Sequence, residues 1–494
     1  MQILQTLGLL LVFLSMAGLM FKRILPALIA LPLMALLVAI IGGVTLDDLI
    51  THVIGGGATK LSTAMVVAIF GGMLSILLQK TKVAEAFIKK GAELSGDNPW
   101  AISVLMYVLI VLLFTTLGGL GAIIMVATIV LPILSSVGVG SMTAVGIFLM
   151  GVSIGGALNV TNWAVYVNVL GLEVNEVRPF ALVMFGFGFL ASLVYITLQL
   201  YRDGHNVKLK KIAFRSLVLL LLAGGAKGSY DYLLSASSKE LVDAGLQYIG
   251  TGLKYTVGLG ILWLFAIAIV RLITRANEKA TAPHWITVFS PIIPLFLILL
   301  FDVDFIAAFV IGLCYTFIAT YKPGALNVFI QSCFEGASVV MPAVILMFGI
   351  GMLLVAIMGP GGQVALTHYV GGDWPVMALL RPLMADIIPE GPMAYVLVFA
   401  VLAPMALYRG PLNVWGMGYG LAAVLLASGM PGGAIMGVLM STGQIQGISD
   451  PTNIQNVWLA NEMKVDVQKV LWNTLGYSWI LAIAGLIVAA WMFV

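Results

Sequence analysis

Apolar runs long enough to cross a bilayer alternate with short polar clusters along nearly the whole chain. They lie at 3–20, 24–43, 64–79, 144–170 and 180–200, and again at 285–301, 304–320, 337–358, 431–460 and 471–494. About 20 apolar residues carry a helix across the hydrocarbon, so each run predicts a transmembrane helix. Two stretches differ. The runs 100–116 and 120–137 are joined only by the glycine-rich Thr115 to Gly121, and a counterpart at 392–428 has its tip at Tyr408 to Asn413. Joints this short predict re-entrant helical hairpins with tips inside the membrane, where irregular backbone survives only if protein or a wet cavity satisfies its N–H and C=O groups. Between the halves, 212–227 and 255–271 predict two more spans.

Two of the long runs are interrupted by related motifs, GALNVTN at Gly156 to Asn162 and GISDPTN at Gly447 to Asn453. The displacement that aligns them also brings Gly119 onto Gly410, Asn159 onto Asp450, Thr161 onto Thr452, Asn162 onto Asn453 and Val174 onto Val465, without a gap. Glycine- or proline-interrupted hydrophobic segments at matching positions of two halves point to a transporter's binding site near the midplane. The third spans match as well, Phe70-Gly71-Gly72-Met73 with Phe348 to Met352, at a smaller displacement. The second copy therefore carries an insertion around 371–389, a segment that holds Asp386 and Glu390.

The predicted fold is thus an all-α polytopic membrane protein of two repeats, each of five transmembrane helices and a re-entrant hairpin. Repeat 1 covers 1–202 with hairpin 100–137 and broken helix 144–170; repeat 2 covers 283–494 with hairpin 392–428 and broken helix 431–460; a two-span linker covers 203–282. Five spans is an odd number, so a two-span linker inverts the second repeat. Lys22 and Arg23, Lys80 to Lys90, Arg202 to Arg215, Arg271 to Lys279, Lys322 and Lys464 to Lys469 then share one side, which the preference of Lys and Arg for the cytoplasm makes the inside. Both termini are expected outside.

Composition narrows the class. At 61% hydrophobic, 9% charged and a mean hydropathy of +1.10, the chain cannot hide its apolar side chains in a water-soluble globule. The formal charge of +3 is spread in short clusters that read as topology signals, so no nucleic-acid partner is expected. Cys314 and Cys333 have no metal-ligand or redox spacing. The first run has no basic region before it and Lys22-Arg23 after it, as a first span has and a cleaved signal peptide does not. A multi-pass place in a bilayer, the bacterial inner membrane, is expected. No G-x-x-x-x-G-K-[ST] motif is present, so ATP-driven transport would need another subunit.

The candidate chemistry is concentrated at tips and breaks. From Asn98 to Leu172 there is no charged side chain, whereas the second tip carries Arg409 and the second break Asp450. A charge at the bilayer centre costs about 2.5–3.5 kcal/mol on the insertion scale, which makes both functional candidates. Either they pair with each other, or Arg409 serves as a fork for a substrate carboxylate. The expected substrate site comprises Gly118, Gly119, Asn159, Thr161, Asn162, Arg409, Gly410, Asn413, Thr452 and Asn453. A Na+ would take Asn159, Asn162, Asp450 and Asn453, since hard cations want oxygen ligands. The bland alternative is that these Asn and Thr side chains cap broken helix ends. Gly151-Val152-Ser153-Ile154-Gly155 fits a G-x-S-x-G nucleophile, but that motif needs a strand-turn-helix elbow and a nearby base. Small residues that let helices approach closely explain it better.

In the order of these parts the chain resembles the ion transporter superfamily and, within it, the citrate transporter-like (CitMHS-type) permeases. The likeness runs from the first span with Lys22-Arg23 through the Gly118 to Gly121 tip and the break at Gly156 to Asn162, to their copies at Arg409 to Asn413 and Gly447 to Asn453. It implies a homodimer held by scaffold spans and a transport domain of hairpins and broken helices that moves like an elevator. Citrate itself is not expected, because the Gly118 to Gly121 tip has no acidic residue. The function expected is a secondary carrier, a symporter that takes up a small organic anion, a carboxylate, with Na+ or H+ as coupling ion and no other cofactor. A Na+/H+ antiporter is the alternative within transport, and an intramembrane hydrolase built on Ser153 the alternative outside it.

Overall fold

The computed structural model describes residues 2–22, 24–94, 98–205, 236–275, 283–360, 369, 373–384, 389 and 391–494. Every regular element among them is helical. Eight helices are long and apolar enough to cross a membrane, nine if the bent pair Ser141–Ala157 and Val160–Leu170 is one span. The chain is a multi-pass membrane protein.

Two of these eight, Gly119–Ser136 and Pro392–Arg409, belong to the expected hairpins, and several of the twelve expected spans take another form among the described residues. The run 285–301 is not one helix: a 3-10 turn, Trp285–Phe289, is followed by a helix of only nine residues, Ile293–Phe301. Pro291 and Pro294 lie at the junction, and a proline offers no N–H and clashes with the preceding turn. The runs 24–43 and 304–320 become Ala27–Gly42 and Phe305–Ala319, apolar but shorter than a full crossing. The third spans are longer than their runs. Helical backbone continues from Leu46 to Lys80, with a π-helical stretch at Leu49–Gly56, and from Ala325 to Met358. The expected span at 255–271 falls inside Ala236–Arg275, which packs mainly on Phe305–Ala319. The expected span at 212–227 lies outside the described residues, as do His368, Asp386 and Glu390. Of the expected insertion, the ten-residue helix Pro375–Met384 is described.

The two long helices form the spine of one layer. Gly57 packs on Gly351 and Met352, and Gly72 on Gly336, so the helices run antiparallel. A Cβ on Gly72 would stand 2.5 Å from the Gly336 carbonyl oxygen, and one on Gly57 2.6 Å from Met352 Cα. Glycine is what allows this approach, and close backbone packing is a main source of association between helices in lipid. Gly336→Ala is therefore expected to lower the melting temperature of the detergent-solubilised protein, by an overpacking cost of about 1–3 kcal/mol. Gly186→Ala, on a helix where an added Cβ meets nothing within 4 Å, should leave it unchanged. Equal melting temperatures for the two variants would remove the spine's role.

Around the spine lie Ala27–Gly42 and Phe305–Ala319. A second layer gathers Pro99–Phe114, Ser141–Ala157, Val174–Arg202, Pro392–Leu402, Gly432–Ser449 and Val467–Phe493. Within it Gly151 and Gly155 bring Ser141–Ala157 against Ile110, Val111 and Phe114, the close helix approach that small residues permit. The layers meet where Tyr419–Ala427 packs on Ala325–Met358, with Gly420 on Leu353, and where Val160–Leu170 packs on Ser62–Lys80, with Thr161 beside Gly71. Both meeting points adjoin the breaks at which the motifs lie.

Candidate substrate cavity

Each helix break leaves N–H and C=O groups without partners in the helix, and these must be met by side chains where no bulk water reaches. At the first break one amide does most of this. Asn159 is extended (φ −72°, ψ 119°) and its Oδ1 accepts the Thr161 N–H at 3.0 Å, capping Val160–Leu170, which restarts at a 49° bend. Its Nδ2 donates to the carbonyls of Phe114, at 2.9 Å, and Leu117, at 3.1 Å, the last of the first hairpin's leading arm. The amide thus ties the break to the tip of Pro99–Phe114 and Gly119–Ser136.

The second break repeats the tie with its polarity reversed. Asp450 Oδ1 accepts from Thr452 N (2.9 Å), Thr452 Oγ1 (2.8 Å) and Tyr408 N (3.1 Å), and Oδ2 accepts from Asn413 Nδ2 at 3.3 Å. Where the first tip presents carbonyls, the second presents an N–H and an amide donor. A group that only accepts therefore suits the second site, and one that also donates suits the first. This is the physical content of the Asn159/Asp450 exchange.

The second tip needs such a holder. Tyr408 and Arg409 both lie in the left-handed region, at φ 54° and 58°, which costs roughly 1–2 kcal/mol for each residue with a side chain. Asn413 Nδ2 also donates to Ala406 O at 3.0 Å, closing the reversal from behind. At the first tip the left-handed residue is Gly119, φ 83°, where a Cβ would lie 2.9 Å from Val339 Cγ1.

A cavity of about 420 Å³ opens between the two tips and the two breaks. Its lining pairs positions that the motif displacement equates: Gly118 with Arg409, Val152 with Gly443, Ser153 with Gln444, Gly156 with Gly447, Asn159 with Asp450 and Asn162 with Asn453. One such pair touches itself, Ser153 Oγ donating to Gln444 Oε1 at 2.8 Å across 291 positions. Gln446, Gln455, Asn413 and the rings of Tyr166 and Tyr419, 6.4 Å apart, complete the polar and aromatic wall.

Arg409 and Asp450 are the charged side chains of this lining, and they form no ion pair. The pairing reading is corrected on that point: the Asp450 oxygens are taken up by four donors of the break and tip, while the half-buried Arg409 guanidinium has no anionic partner among the described residues. Gly118, Gly119, Asn159, Asn162, Arg409, Asn413 and Asn453 line the cavity, but Thr161, Gly410 and Thr452 do not. Thr161 faces Gly71, Thr452 donates to Asp450, and Gly410 is packed against the Met405 carbonyl.

The cation set fares differently. Asn159 and Asp450 spend their oxygens on cap and tip bonds, as the capping alternative has it. The freed carbonyls are also met, Gly156 O by Asn162 Nδ2 at 2.9 Å, Ala157 O by Trp163 Nε1 at 2.8 Å and Gly447 O by Gln455 Nε2 at 3.2 Å. Among the described residues no group of three or more His, Cys, Asp or Glu side chains is placed to hold a metal ion. Among the described residues no histidine is placed as a base for Ser153: His52 faces Asp48, His205 the Gly138 carbonyl, and His284 caps Ile286. The spacing motifs overlooked Gln444, Gln446, Gln455, Tyr166 and Tyr419. The three glutamines in the apolar run 431–460 were the available signal, because a polar side chain there must face protein or a cavity.

No family model matches the chain, and no curated protein does. Among solved structures it is similar to the YdaH transporter of Alcanivorax borkumensis, at 13% identity and a TM-score of 0.49 over 90% of this chain and 89% of that one. It is also similar to MtrF of Neisseria gonorrhoeae, described with a class of antimetabolite efflux pumps, at 14% identity and a TM-score of 0.47 over 90% of this chain and 84% of that one.

Proposed function

We propose that this chain is a secondary carrier that binds an organic anion, a carboxylate, in the cavity between tips and breaks and moves it across the membrane with Na+ or H+. One observation carries the reading: a guanidinium without an anionic partner among the described residues lines a cavity walled by two hairpin tips and two broken helices. Burying a charge without a partner is costly, and a substrate carboxylate accepts the paired N–H groups of the fork. Asp450, already bonded to four donors, offers no free carboxylate for exchanging Na+ against H+, which favours this reading over an antiporter.

An inverted-repeat arrangement belongs to the same proposal and rests on reciprocal contacts. Equating Gly72 with Gly351, and Gly57 with Gly336 by the same step, turns the contact of Gly57 with Gly351 into that of Gly336 with Gly72. A two-fold relation between antiparallel helices has this signature, and the paired cavity lining and the Ser153–Gln444 contact agree with it. The layer of hairpins and broken helices is then the part that moves against the glycine-packed spine, in the homodimer and elevator motion that the family resemblance implies.

The test is uptake by proteoliposomes offered labelled organic anions under an imposed Na+ or proton gradient. Saturable uptake that depends on one of the gradients is the expected result. If no organic anion enters under either gradient, the carrier reading falls.

A further inference from the structure

From the hydrogen-bond inventory of the cavity we infer that the transported anion carries a single negative charge on a neutral, hydrogen-bonding body; this rests on the carrier reading above. Among the lining residues Arg409 is the one cation, and the one anion, Asp450, is consumed by the tip and break. A second carboxylate on the substrate would lose its water with no counter-charge to meet it, a penalty of several kcal/mol for an ion taken into a protein interior.

The neutral groups say what the rest of the substrate is. Gln446, 6% exposed, uses its Oε1 to accept the Val414 N–H at 2.8 Å and keeps its amide N–H groups for the cavity. Gln444, 4% exposed, uses Oε1 on Ser153, and its Nε2 makes only a long 3.4 Å contact to Met440 O. Asn162 and Gln455 each spend one N–H, on Gly156 O and Gly447 O, and keep their amide oxygens. Donors and acceptors without charge therefore both face the cavity. A bare hydrocarbon tail would leave them unpaired, whereas hydroxyl or amide groups on the substrate match them.

The proposal is tested by competition for binding to the purified full chain, read by thermal shift, and by uptake in proteoliposomes, with anions matched in skeleton. Gluconate is compared with glucarate and with hexanoate, and N-acetylglutamine with N-acetylglutamate. At least one of gluconate and N-acetylglutamine should bind, with its dianionic partner weaker by roughly tenfold or more. Hexanoate should be weaker than gluconate by about the same factor. Gln446→Glu keeps an acceptor for the Val414 N–H but removes the amide donors and adds a negative charge. It should lose gluconate or N-acetylglutamine binding, and its melting temperature, read in the same preparation, separates that loss from unfolding. A dianion that binds as well as its partner, hexanoate equal to gluconate, or unchanged binding in Gln446→Glu would each overturn the inference. Uptake of citrate under a gradient, with neither monoanion bound, would overturn it and leave the carrier reading standing. No uptake of any anion would remove the carrier reading itself.

Discussion

Asn159→Asp is expected to be strongly destabilising although it adds at the first break the residue that the second break uses. Asn159 Nδ2 donates to the carbonyls of Phe114 and Leu117. A carboxylate there would set its oxygens against two carbonyl oxygens and leave both without donors. A buried polar group left unpaired costs about 1–3 kcal/mol, and more when charged, so a loss of several kcal/mol follows. The loss should shrink as pH falls, because a protonated acid regains one O–H donor for those carbonyls. Melting temperatures of the purified variant at about pH 5 and about pH 8 check both claims. Asp450→Asn should be milder: an amide oxygen can still accept from Tyr408 N and Thr452 N, and only the contact with Asn413 Nδ2 turns from attraction to a donor facing a donor. If the two variants lose equal stability, the polarity argument fails.

Arg409→Gly is expected to separate stability from function. The side chain has no ion pair to lose among the described residues, and its backbone sits at φ 58°. Glycine adopts that region freely, so folding should gain about 1 kcal/mol while the proposed anion site loses the one cation of its lining. Hydrogen bonds to charged groups contribute about 1.5–3 kcal/mol, which corresponds to a fall of roughly 10- to 100-fold in apparent affinity. Arg409→Lys keeps the charge but not the paired donors and should fall between the two. The readouts are the melting temperature and the concentration dependence of uptake in the same preparations. Wild-type uptake kinetics in Arg409→Gly would dismiss Arg409 as the anion's partner.

Such gains in stability at the expense of activity are the usual mark of a strained residue kept for function. The two tips differ in the residues that carry this strain. The first tip turns on Gly119, whose missing side chain leaves room for Val339. The second turns on Tyr408 and Arg409, and the strain of placing a guanidinium there is met by a carboxylate from the neighbouring break.

Much of this was legible along the chain. Apolar runs marked the membrane class because 61% hydrophobic residues have no other place to go, and the motifs at Gly156 to Asn162 and Gly447 to Asn453 coincide with the helix ends at Ala157 and Ser449. Periodicity reads local properties: whether a stretch can be helical and whether lipid can solvate it. It ran one helix through Pro291 and Pro294, where the chain divides, and it missed Gln444 and Gln446 as cavity residues because their meaning depends on what lies opposite. The lone charges Arg409 and Asp450 stood out by themselves, but not their partners. Which groups they face is set by the backbone direction at Tyr408 and Arg409 and by the approach of a tip to a break 42 positions away. Composition can say that a buried carboxylate must be satisfied. Only the folded chain, by bringing N–H groups and not a guanidinium to Asp450, decides what satisfies it and leaves Arg409 to the cavity.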